Sequence, residues 1–142
     1  MGKIHRLLVA ALGALVMIGC CNCRHKAMRN TLPLEGTTWQ LIQLGGQSVK
    51  AQGESFTLQF LAEEHQMAAM GSCNRLTAGY TTDERRNLAL SEIGSTRMLC
   101  PEAELEQKFV EALSQTTRYD MDGEMLLLLH NNDLIAVLQA KK

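Results

Sequence analysis

The sequence predicts an α+β fold in which one amphipathic helix packs on a curved antiparallel sheet, and three observations lead there. The chain has 142 residues, 46% hydrophobic and 20% charged with only two prolines, which fits one compact domain. Short apolar-polar alternations recur at hairpin spacing and are separated by turn clusters, the mark of antiparallel strands. Only one segment carries a helical period, so its apolar stripe has a single large partner to bury against, the sheet.

The chain opens on a basic start at Lys3, His5 and Arg6, followed by an unbroken apolar run from Leu7 to Ile18 and then Gly19-Cys20. This is the layout of a secretory signal peptide over residues 1–19. A membrane-spanning helix needs roughly 20 apolar residues, more than this run contains. Met17-Ile18-Gly19-Cys20 resembles the bacterial lipobox, which implies that Cys20 is acylated, with palmitate among the chains, and becomes the mature N-terminus. One acyl chain binds a bilayer only marginally, whereas two or three hold firmly. Residues 20–31 then form a polar tether. No Asp follows Cys20, which favours the outer membrane facing the periplasm over the inner membrane. Cys21 and Cys23 have no evident partner and are open to acylation or disulfide formation.

Loss of residues 1–19 removes Lys3 and Arg6 and no acid, leaving 12 basic against 15 acidic residues and a net charge of −3. A mildly acidic body without a basic stripe excludes an electrostatic footprint for nucleic acid.

The domain is expected over 32–142. Trp39-Gln40-Leu41-Ile42-Gln43-Leu44 alternates and ends at Gly45-Gly46, a strand and turn. Phe56, Leu58 and Phe60 fall on one face of a second strand. Further strands are predicted at 66–71, 76–81, 88–93, 118–121, 125–130 and 134–138, with turns at 83–87 and 131–133. Leu105, Phe109, Ala112 and Leu113 recur at helical spacing between Pro101 and Ser114. Pro101 suits a first helical position, and Glu102 and Glu104 favour the positive end of the helix dipole.

The stretch Gly71-Ser72-Cys73-Asn74-Arg75-Leu76-Thr77-Ala78-Gly79-Tyr80, followed by Ser95-Thr96-Arg97-Met98-Leu99-Cys100-Pro101-Glu102, resembles the paired signatures of the META domain family. That family includes heat-inducible lipoproteins of HslJ type. The similarity runs from about Leu34, with its Gly36-Thr37-Thr38-Trp39 opening, to about Leu138. It implies antiparallel strands wrapped around one helix as an open, barrel-like sheet, a shape also similar to lipoprotein pilots of secretion systems. It implies little chemistry, since fold likeness does not establish function.

Cys73 and Cys100 are the disulfide candidates, because exported domains meet oxidising conditions. Closing a loop of about 28 residues would stabilise the fold by roughly 3–4 kcal/mol. The competing reading is thiol-disulfide chemistry or redox sensing, since Cys100 stands directly before a helix start, where a thiolate is favoured; no Cys-x-x-Cys accompanies it. A bridge would draw Asn74 and Arg75 towards Thr96 and Arg97, a candidate binding patch for an anion. Local bonding in turns by Asn74 and Thr96 is the structural alternative.

The methionines read as core filler, and His65 near Met67 and Met70 is too sparse for a soft metal site. His130 reads as a strand-end residue. There is no Gly-x-Ser-x-Gly, no His-Glu-x-x-His and no acid pair, so neither an enzyme nor a bound cofactor is expected. The functional expectation is a noncatalytic envelope lipoprotein that binds a protein or an amphiphile, with a stress-related role implied by the family likeness.

Overall fold

The computed structural model describes residues 31–142. The predicted leader, Cys20, Cys21, Cys23 and the tether up to residue 30 lie outside the described residues. The strands are β1 (Trp39–Leu44), β2 (Gln47–Ser48), β3 (Thr57–Leu61), β4 (Gln66–Met70), β5 (Arg75–Thr82), β6 (Leu88–Leu90), β7 (Gly94–Ser95), β8 (Arg118–Asp122), β9 (Met125–His130) and β10 (Asp133–Ala140). The helix α1 (Ala103–Gln115) stands between β7 and β8.

All strand pairings are antiparallel, in the order β6-β5-β4-β3-β1-β10-β9-β8, with β2 on β1 and β7 on β5. The two ends of this order meet. Asn87 bridges Arg118, the Leu88 N–H donates to the Thr117 carbonyl at 3.0 Å, and Arg86 pairs with Asp120. The sheet is therefore a nearly closed barrel, which removes most of the exposed edge an open sheet would carry. Bulges at Ile42 and Ile135, where the β1–β10 and β10–β9 registers shift, bend the strands at one rim.

Alternation sets the inside. Trp39 and Leu41 on β1, Leu58 and Phe60 on β3, Leu76 on β5 and Leu126 and Leu128 on β9 are all buried. Phe109 of α1 meets Phe56 edge-on, with ring centroids 5.9 Å apart, so the helix closes the barrel interior with an aromatic contact.

Several boundaries differ from the sequence reading. Phe56 lies before β3 with φ of 51°, yet it remains fully buried, because its N–H bonds the Gly71 carbonyl and its carbonyl accepts from Leu41. The predicted strand at 88–93 ends at Leu90 as β6, since Ser91 turns to donate its N–H, and accept with its hydroxyl, at Gly79, and the unpredicted β7 follows at Gly94–Ser95. Helix α1 begins two residues after Pro101, because Cys100 is tied to Cys73 and the Glu102 N–H is held by the Ser72 hydroxyl at 3.3 Å. β2, with only two exposed polar residues, had no period to reveal it. Its turn uses Gly45 and Gly46 at φ of 55° and 80°, the primed-turn backbone that favours glycine.

The N-terminal strap crosses one end of the barrel. Leu34 is buried, its carbonyl accepts the Trp39 indole N–H at 3.0 Å, and Glu35 accepts the Tyr80 hydroxyl at 2.5 Å. Burial, reinforced by the bond to Glu35 and its charge, pushes the Tyr80 hydroxyl up to about 12. No helix of the described residues is long and apolar enough to cross a membrane.

Candidate functional site

Two features of the domain stand out, and both lie beside α1. The first is the junction at the helix entrance. Cys73 and Cys100 form a disulfide with Cα atoms 5.6 Å apart, joining the β4–β5 turn to the segment that leads into α1. Beneath it lies Glu106, buried although charged. Its Oε2 accepts the backbone N–H groups of Ser72 at 2.7 Å and of Cys73 and Asn74 at 3.4 Å each. Its Oε1 accepts the Asn74 side-chain amide at 2.6 Å. A carboxylate leaves water only when such donors replace the solvent, and three consecutive backbone N–H groups form a concave anion cradle.

Gly71 makes the approach possible. A Cβ there would sit 2.2 Å from the Glu106 carboxylate oxygen, so any side chain would displace it. Asn74 passes the restraint outward. Its side-chain Oδ1 accepts the Met98 N–H at 2.8 Å and the Thr96 hydroxyl at 2.9 Å, while its Nδ2 also donates to the Met98 carbonyl at 3.1 Å and the Cys100 sulfur at 3.2 Å. Thr96 in turn accepts the Arg75 N–H at 3.0 Å.

Of the predicted binding residues, the structure therefore brings Asn74 and Thr96 together and occupies their side chains with bonds inside the fold. Arg75 and Arg97 are exposed, and neither forms an ion pair among the described residues. Glu106 was missed because its neighbour Leu105 satisfied the expected stripe. The signal was present: Glu106 lies three residues before Phe109 and seven before Leu113, inside the same stripe. Leu105 is instead half-buried, at the margin of the second feature.

That second feature is a groove of about 700 Å³ between α1 and the β1–β2 hairpin. Leu44, Val49, Leu105, Ala112 and Ile135 give it an apolar floor beside the two bulges. Glu102, Glu104, Lys108 and Glu111 line the helix side and Lys50 the hairpin side. Lys108 bonds Glu104 at 2.7 Å and holds that carboxyl below its usual range. Glu102 and Glu111 have no cationic partner among the described residues, so the rim is acidic by one charge.

The remaining sequence candidates resolve simply. His130 ends β9 with Nδ1 2.7 Å from the Gln115 carbonyl at the close of α1. Met67 is buried in the core, whereas Met98 is exposed, in departure from the filler role. No group of three or more His, Cys, Asp or Glu side chains among the described residues is placed to hold a metal.

The class defined here is a barrel-like α+β domain with one plugging helix, stapled by a disulfide at the helix entrance. Residues 32–142 match the model of the META domain, and the chain belongs to that family. Solved structures agree on the fold. A protein from Burkholderia xenovorans is 21% identical with a TM-score of 0.61, over 77% of this chain and 84% of that one. A DUF4847 family protein from Bacteroides vulgatus is 16% identical with a TM-score of 0.56, over 77% of this chain and 94% of that one. No curated protein matches the chain.

Proposed function

We propose that this chain is a membrane-anchored envelope lipoprotein whose META domain is a noncatalytic binding module, with the groove beside α1 as its docking site. One observation carries the docking role: Leu44, Val49, Leu105 and Ile135, each only half-buried, line one open cleft of about 700 Å³ together with buried Ala112. Pockets with an apolar floor and a sparse charged rim suit an amphiphilic ligand or an apolar side chain of a protein partner. The leader and Cys20 support the anchored, periplasm-facing outer-membrane placement. A stress-related role rests on the family likeness alone.

Intact mass of the full chain purified from membranes tests the anchor: acylation at Cys20 is expected, and an unacylated product would overturn it. A photo-crosslinking residue at Val49, in cells expressing the full chain, tests the groove. A discrete adduct that is absent with the crosslinker at exposed Glu84 is expected. No adduct above that control would overturn the docking role.

A second reading, thiol-disulfide chemistry at Cys73 and Cys100, is favoured by one contact. The Asn74 amide lies 3.2 Å from the Cys100 sulfur, where it would support a thiolate after reduction. A reduction potential below about −300 mV would mark a purely structural bond and remove this reading.

A further inference from the structure

Among the described residues, Leu99 is the most exposed large apolar side chain, its exposure reaching 103%, and Met98 beside it is 55% exposed. Such a pair on a loose loop would be unremarkable. Here the loop backbone is fixed at both polar atoms of Met98 by Asn74, Asn74 is held by Glu106, and the next residue but one is the bridged Cys100. The fold thus commits a disulfide, a buried carboxylate and a buried amide to hold two apolar side chains out in water. A rigid apolar tip loses little entropy on binding, which is the property of an anchor residue at an interface.

The tip also has a charge sign. Arg97 precedes it and Arg75 lies beside it through the Arg75–Thr96 pairing, and neither has an anionic partner among the described residues. The groove has the opposite character, an apolar floor with a net charge of −1, Glu102 and Glu111 on the helix side standing outside any ion pair among the described residues and Lys50 facing them from the hairpin side. Both lie against α1, the tip leading into its first turn and the groove running along its flank. Leu99 is wholly exposed, so it does not fill the groove of its own chain.

We propose that the occupant of the groove is a second copy of this chain, whose Arg97-Met98-Leu99 tip docks there while the first copy's tip docks in return. This rests on the groove being a docking site and adds what occupies it. An apolar, basic protrusion adjoining an apolar, acidic groove makes the surface complementary to itself, as a two-fold interface requires. Apolar contact supplies the attraction, and Arg97 facing Glu102 or Glu111 sets the orientation.

The test uses the full chain purified from membranes in mild detergent, with dimer fraction followed by sedimentation velocity across a protein dilution series. Leu99→Asp is expected to weaken self-association at least about tenfold without changing the thermal midpoint, because the side chain touches nothing in the monomer. Arg97→Glu and Glu111→Arg are each expected to weaken it, and the double variant to restore it. A crosslinker at Val49 should yield a product of twice the chain's mass, lost with Leu99→Asp.

A chain that stays monomeric throughout overturns the proposal, as does a dimer indifferent to Leu99→Asp. A Val49 adduct of some other mass overturns it while leaving the groove a docking site, and absence of any adduct removes both. Binding of the unacylated Cys20→Ala chain to phosphatidylglycerol vesicles that is lost when Leu99→Asp is added, without self-association, also overturns it and makes the tip a lipid contact.

Discussion

The two sides of α1 handle polar groups in opposite ways. At the entrance junction, Glu106 and Asn74 are buried, and among the described residues no buried side-chain polar atom lacks a hydrogen-bond partner. Along the groove, on the flank of the same helix, half-buried apolar side chains line an open cleft and two rim carboxylates form no ion pair among the described residues. One region spends its chemistry on holding shape, and the other leaves chemistry unspent. The difference separates residues whose substitution should cost stability from those whose substitution should cost binding alone.

The largest expected effect is at the junction. Replacing both cysteines, Cys73→Ser with Cys100→Ser, should lower stability by about 3–4 kcal/mol in the chain-entropy model, read by denaturant unfolding. Glu106→Gln comes next, at roughly 2–3 kcal/mol, since an amide cannot accept from three backbone N–H groups and from Asn74 at once. Gly71→Ala should cost a similar amount through the same group, by forcing the carboxylate out of its cradle. Non-additivity of Gly71→Ala with Glu106→Gln in a double-mutant cycle would show that both act on one interaction. Additive losses would break the assignment of Gly71 to the carboxylate. By contrast, Glu111→Arg at the exposed rim of the groove should change stability by about 0.5 kcal/mol or less, while weakening the Val49 crosslinking adduct. A loss of several kcal/mol there would erase the contrast between the two regions.

How much of this could be read beforehand follows the same division. Strands with period two, such as β1, β5 and β9, were legible because alternation against a core leaves an unmistakable trace in Leu76, Leu126 and Leu128. The helix was legible through Phe109 and Leu113, and the bridge through Cys73 and Cys100. Glu106 was not, because burying a charge is decided by donors that come from a turn more than thirty residues away. Nothing in the residues adjacent to Glu106 encodes that turn. The groove was equally illegible: its floor joins β1, the hairpin end, α1 and β10, and each contributes one or two side chains that look like ordinary core. Exposure of Leu99 likewise depends on how Asn74 fixes Met98, which is a tertiary fact.

The smallest expected effect lies outside both regions and serves as their control, because it concerns a carboxylate held by one hydroxyl instead of a cradle. Tyr80 is buried against Phe60, edge-on with ring centroids 5.0 Å apart, and donates to Glu35 on the N-terminal strap. Its hydroxyl is raised from 10.0 to about 12, first by burial and then by Glu35. A raised value means that the fold favours the neutral phenol. Its stabilisation is therefore complete below the unfolded value near 10 and is lost as pH climbs through about 12. Ultraviolet titration of tyrosinate should show this late ionisation, and Glu35→Gln should move it down only part of the way, because burial is the leading cause and remains. A complete return to the ordinary value would mean that the strap, rather than the barrel wall, shields Tyr80. In that case Glu35 would be closing the barrel end, in the way Glu106 closes the helix entrance, and the strap would join the regions where substitution costs stability.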